Sequence, residues 1–118
     1  HVGRAEDKGG NDIQVRWFND GSNLHRVWDT DMIESFGMSY TELAENLPKL
    51  SRKEEKALAQ GTVLDWVYES QEVAKIVYGS AQMGEKLGYR YMYDHFGTVK
   101  RQLQKGGLRL AEVLNGLF

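Results

Sequence analysis

Strict alternation of apolar and polar residues is brief in this chain. Ile13, Val15 and Trp17 stand out of phase with Gln14 and Arg16, the period of a short strand with one buried face. Asn19-Asp20-Gly21-Ser22 then reads as a turn. Beyond it the apolar period is helical. A first helix is predicted from about Leu24 to Ser35, opened by Asn23, whose side-chain oxygen accepts from an amide of the first turn. Ser39 with Glu42 and Ser51 with Glu54 are capping boxes that open two short helices separated by Pro48. Gly61-Thr62 starts the next helix, whose stripe Val63, Trp66, Val67, Val73, Ala74 and Val77 is expected to face the core. Residues 79 to 88 form a connection with room for a short helical turn. From about Tyr89 the chain is helical again, and Val99, Leu103, Leu110, Ala111 and Leu114 mark the last helix. Gly106-Gly107 lies inside it, a weak point of about 1 kcal/mol per glycine relative to alanine, or a site of close helix packing. The fold class is therefore mainly α, with one short β-hairpin or strand near the N-terminus.

Composition sets limits on function. The 118 residues allow one domain at most, and 41% hydrophobic and 27% charged residues are globular proportions. There is no apolar run long enough to span a membrane and no signal-peptide pattern. The absence of cysteine excludes disulfides and thiolate metal sites. A net charge of -2 argues against a protein that holds nucleic acid mainly by neutralising its phosphates. Lys100, Arg101, Lys105 and Arg109 cluster near the end and read as a solvated helix face. Most of the aromatic residues, Trp17, Trp28 and Trp66 among them, are expected in the core rather than stacked on bases.

The candidate chemistry lies in Asn23-Leu24-His25-Arg26-Val27-Trp28-Asp29. His25 and Asp29 are four residues apart, so an imidazole and a carboxylate project from one helical face, a donor pair suited to zinc. The same spacing also fits a plain surface contact. A catalytic zinc needs a third protein ligand, and the remaining histidines are His1 and His95. His1 precedes a glycine-rich loop, Gly3 to Asn11, that can fold back over the helix. His95 has no partner at ligand spacing and reads as a packing or surface residue. Asn11 follows two glycines that permit close backbone approach, so its amide is a candidate for substrate contact or for capping its own turn.

Several blocks together resemble one family. His1-Val2-Gly3, Lys8-Gly9-Gly10-Asn11, Val15-Arg16-Trp17-Phe18, Asn23-Leu24-His25-x-Val27-Trp28-Asp29 and Met32-Ile33 are similar to the C-terminal half of the zinc-dependent single-strand nucleases of the S-one and P-one type, relatives of zinc-dependent phospholipase C. The likeness continues in Trp66-x-x-Glu69-Ser70-x-x-x-Ala74-x-x-Val77-Tyr78 and in Gly107-Leu108-Arg109-Leu110-Ala111-x-x-Leu114-Asn115. It spans nearly the whole chain.

The resemblance implies three zinc ions in the parent enzyme, a close pair and a separate one, and places the ligands of the separate ion on His1, His25 and Asp29. Asn11 falls on a loop bordering the nucleotide. The implied reaction is metal-assisted hydrolysis of single-stranded DNA and RNA to 5′-phosphate nucleotides. In the family pattern Gly-Asp-x-His-Gln-Pro-Leu precedes the first histidine, so residues 1–118 are expected to be the C-terminal portion of one nuclease domain whose N-terminal portion is missing. That portion would carry the ligands of the paired ions, so the fragment is expected to be inactive and to self-associate through exposed apolar surface. The lack of cysteine suggests a bacterial member, and the family implies a secreted or periplasmic parent with single-stranded nucleic acid or nucleotides as partners and no membrane. Zinc-dependent phospholipase C and a non-catalytic helical interaction module are the alternatives.

Overall fold

A computed structural model of the chain describes residues 9–37 and 39–117. His1 and Lys8, with the rest of the first eight residues, lie outside them. The strand expected around Val15 is β1, Gln14–Trp17, with Val15 and Trp17 buried and Gln14 and Arg16 exposed. Its hairpin partner is β2, Asp20–Asn23, in antiparallel register with Gln14 opposite Asn23 and Trp17 opposite Asp20. The turn is thus Phe18-Asn19, two residues earlier than the glycine and serine suggested. Both adopt positive φ, 49° and 70°, the conformation that matches the twist of a two-residue hairpin. Phe18 tolerates it because its ring packs edge-on against Trp17 and Tyr89, with centroids 5.2 and 4.7 Å away.

A third strand was not expected. Within the 79–88 connection, β3, Lys86–Leu87, pairs in parallel with β1, so β1 is central in the order β2-β1-β3. Two residues pair at Arg16↔Lys86 and Trp17↔Leu87, too short a run to show as periodicity.

The first helix is broken by a wide turn. It runs as α1, Leu24–Arg26, then a π turn, Val27–Asp31, then α2, Met32–Ser35. The π turn is closed by the Met32 amide donating to the Val27 carbonyl, five residues back. α3, Tyr40–Glu45, and α4, Arg52–Ala59, open on the two expected capping boxes. α5, Val63–Gly79, opens on a third, Thr62 with Asp65. α6, Tyr89–Leu117, passes through Gly106-Gly107 without a break.

The core gathers at one end. Val15, Trp17, Leu24, Val27, Met32 and Leu87 meet Tyr91, Met92, Phe96 and Val99 from the first third of α6. α5 buries none of its residues: Trp66, Val67, Val73, Ala74 and Val77 are half-buried and Val63 is 64% exposed. Of the stripe expected to face the core, Val77 packs against it, and Val73, Ala74 and Val77 form part of one wall of an open cleft.

Candidate functional site

The hairpin and the glycine turn together aim His25. Asn23 caps α1, its Oδ1 accepting from the Arg26 amide at 2.8 Å, which starts the helix where the motif starts. Gly9 and Gly10 have φ of 72° and 99°, a path that folds the turn onto the helix. The backbone amide of His25 donates to the Gly10 carbonyl at 3.3 Å, and Nδ1 of its ring lies 3.2 Å from the Gly9 carbonyl. A carbonyl only accepts, so this contact places the ring proton on Nδ1 and makes Nε2 the atom with the lone pair. That is the orientation of a metal-ligating histidine whose second nitrogen is held by backbone.

Asp29 lies within the π turn, and it lines the same cleft as His25 and Gly9. The cleft has a volume of about 530 Å³ and is otherwise mostly apolar, walled by Trp28 and Ile33, by Ser70 to Tyr78 of α5, and by Val99 to Leu103 of α6. Among the described residues no group of three histidines or carboxylates comes together to hold a metal ion. The structure brings His25 and Asp29 to one wall; His1 lies outside the described residues. Imidazole nitrogen and carboxylate oxygen are donors zinc accepts, and the Gly9 contact fixes the imidazole, so the pair fits two thirds of a three-ligand site.

Asn11 sits at the far end of the glycine turn. It is half-buried, and its carbonyl accepts from Gln14 Nε2 at 2.9 Å. Among the described residues the cleft wall includes Gly9 and not Asn11. His95 packs against Tyr91 and Trp28, with ring centroids 4.4 and 5.7 Å away, as a packing histidine.

Side-chain networks that the sequence did not reveal lie in two places, around the π turn and between α5 and α6. Trp28, between the two candidate ligands, donates from Nε1 to the Tyr91 hydroxyl at 2.8 Å. Ser80 Oγ lies 2.6 Å from that hydroxyl and donates to the Val77 carbonyl at 2.5 Å, so Tyr91 donates to Ser80 and every proton in the chain is committed. Burial raises the Tyr91 hydroxyl above its ordinary pKa, which keeps it neutral and able to donate. Asp31, also in the π turn, accepts from Ser22 at 2.6 Å and from Arg26 at 3.2 Å. The π turn is therefore tied on both sides.

The second network corrects the solvated basic face. Lys105 and Arg109 both bind Glu69 of α5, and their side chains are only 12% exposed. Arg109 also donates to the Leu58 carbonyl at 3.0 Å and lies over the Trp66 ring at 5.4 Å. Trp66, Glu69 and Arg109 come from two separate motif blocks, and the fold joins them. The hydrogen bond from Lys105 holds the Glu69 carboxyl below the usual range against partial burial, with Arg109 acting in the same direction. Of the aromatic residues expected in the core, Trp17 and Tyr91 are buried, Trp28 and Trp66 are half-buried, and Phe18, Tyr68, Tyr89 and Tyr93 are exposed.

Comparison with known proteins agrees with this geometry. The S1/P1 Nuclease family model matches residues 1–118. The chain is 34% identical over 136 residues to Endonuclease 3 of Arabidopsis thaliana, covering 100% of this chain and 46% of that protein. It is 33% identical over 140 residues to Endonuclease 4 of the same plant, covering 45% of it, and 33% identical to Endonuclease 1, covering 44%. The chain thus spans a little under half the length of these relatives. With a helical frame that sets the Asn-Leu-His-x-Val-Trp-Asp block on one wall of a cleft, this chain belongs to the S1/P1 nuclease family.

Proposed function

We propose that this chain contributes the zinc-binding wall of an endonuclease that hydrolyses phosphodiester bonds of single-stranded DNA and RNA. The observation that carries the reading is the His25 ring, which is held through Nδ1 at the Gly9 carbonyl and lines the same cleft as Asp29. His25 and Asp29 would hold one zinc ion, with His1 as the third ligand. A zinc ion bound there supplies positive charge for a phosphate and for a departing oxygen, which matters in a chain whose own net charge is -2. The protein's part is orientation: Gly9 holds the imidazole, the tied π turn carries Asp29, and α5 and α6 supply the mostly apolar walls of the open cleft. Asn11 stays a candidate for contact with the nucleotide.

The three-zinc parent, its secretion or periplasmic location, and a bacterial source rest on the motif resemblance and the absence of cysteine. Residues 1–118 form the C-terminal portion of the domain in this reading. They are inactive alone, because the ligands of the paired ions are not among them.

Zinc titration of the chain, with chelator competition, tests it. One equivalent bound by the wild type and lost in His25→Ala and Asp29→Ala is expected. No zinc bound, or strong chelator-sensitive cleavage of single-stranded DNA by the 118 residues alone, would contradict the zinc assignment or the partial-domain reading respectively.

A further inference from the structure

α4 is a helix without a core. None of its eight residues is buried, yet the fold pins both its ends. Gln104 Nε2 of α6 donates to the Pro48 carbonyl at 2.5 Å, just before the helix, and Arg109 Nε donates to the Leu58 carbonyl near its end. The capping box of Ser51 and Glu54 holds the first turn. Outward the helix carries Arg52, Lys53 and Lys56 together with Glu54 and Glu55, all exposed.

Lys49, Arg52, Lys53 and Lys56 are all exposed; Arg52 and Lys53 lie four and three residues before Lys56, about one turn of α4, and Lys49 lies in the segment that precedes the helix. Four of the chain's 15 lysines and arginines thus fall within eight positions of a protein whose net charge is negative. Arg52, Lys53 and Lys56 converge on a shallow hollow of about 460 Å³, completed by Ala57 and Gln60, with no carboxylate in its wall. Ion pairs among the described residues involve Arg26, Lys75, Arg90, Lys105 and Arg109, and none of these four. Arg52 and Lys53 also occupy the first helical turn, where the helix dipole favours acids. Helix stability does not account for the cations, and neither does packing.

The place of α4 suggests what they meet. Gln104, which holds Pro48, directly follows Gln102 and Leu103 in the wall of the cleft, so α6 carries both that wall and the anchor of the basic segment. We propose that Lys49, Arg52, Lys53 and Lys56 bind the phosphate backbone of a single-stranded nucleic acid outside the cleft. This is a sequence-independent subsite that holds the strand running from the His25–Asp29 wall. Its ligand rests on the nuclease reading.

The test is fluorescence anisotropy of a labelled oligothymidylate with the chain in excess chelator, which stops cleavage and removes metal contacts, over a range of salt concentrations. Single strands lose affinity with a slope of about -0.7 per phosphate contact in log affinity against log salt. The fourfold variant Lys49→Gln, Arg52→Gln, Lys53→Gln, Lys56→Gln should flatten that slope by roughly two to three units, with helix content by circular dichroism unchanged. A control variant, Lys75→Gln, Lys86→Gln, Arg90→Gln, Arg101→Gln, removes the same charge elsewhere and should leave the slope near that of the wild type. Equal slopes in the α4 variant and the wild type, or an equal change in the control, overturn the proposal. So does tighter binding to phosphatidylserine vesicles than to oligothymidylate, or no oligothymidylate binding by the wild type. The nuclease reading fails differently. His25→Ala should bind oligothymidylate like the wild type in chelator while losing zinc, so retained strand binding in a wild type that takes up no zinc refutes the metal site and not the α4 face.

Discussion

His25 is held through backbone at two glycines, its ring at the Gly9 carbonyl and its amide at the Gly10 carbonyl. A Cβ on Gly10 would sit 3.2 Å from the His25 amide nitrogen and 3.4 Å from Leu24 Cβ, at a φ that L side chains rarely adopt. Gly10→Ala is therefore expected to cost about 1 to 3 kcal/mol and to weaken zinc binding with it. Gly37→Ala is the contrast: its φ is also positive, 65°, but no atom lies within 4 Å of the added carbon. Chemical denaturation of both variants decides the matter, and equal losses would show that the approach to His25 is not the cause. At this scale the Asn23 cap that starts α1 was legible, because a cap is a property of the local chain. The Gly9 carbonyl was not, because it reaches His25 across 16 positions.

Among the elements, the π turn and the α5–α6 pair carry the consequences. Residues in a π turn are rotated from their α-helical positions, so relaxation of Val27–Asp31 would swing Asp29 relative to His25. Tyr91→Phe strips Trp28 Nε1 of its acceptor and Ser80 of its donor while keeping the ring. A loss of about 1 to 3 kcal/mol and faster hydrogen exchange at the Met32 amide are expected. Unchanged exchange there would mean that the turn holds itself.

Glu69 gives the molecule a pH signature. Its folded pKa lies below the ordinary 4.5, so its ion pairs stabilise fully above that value and are lost as pH falls through the lowered one. Glu69→Gln should be clearly less stable than the wild type at neutral pH, with the gap closing on acidification below about 4.5. A gap independent of pH would assign Glu69 a packing role only. Capping boxes were readable here, since each is written in four consecutive residues. The pairing of Glu69 with Lys105 and Arg109 spans 36 and 40 positions, and spacing along α6 by itself made those cations look solvated.

The whole molecule is unevenly packed. One end is a closed core of sheet, π turn and the start of α6. The start of α5 and the end of α6 carry apolar side chains into solvent: Leu64, Leu110, Leu114 and Leu117 are each more than 40% exposed. Surface of this kind favours association, so sedimentation velocity is expected to show mass rising with concentration, and Leu110→Glu with Leu114→Glu should suppress it. A monomer at every concentration would remove that expectation.

What the sequence by itself determined is local: where helices start and which face of β1 is buried. Tertiary structure decided the rest. Whether an apolar stripe closes into a core or lines a cleft, as on α5, depends on what packs opposite. Which cations are consumed in ion pairs and which stay on the surface depends on partners many residues away. Lys105 and Arg109 turned inward to Glu69, and the cations around α4 remained outside. Periodicity reports the side of an element, and only the approach of a second element fixes what that side meets.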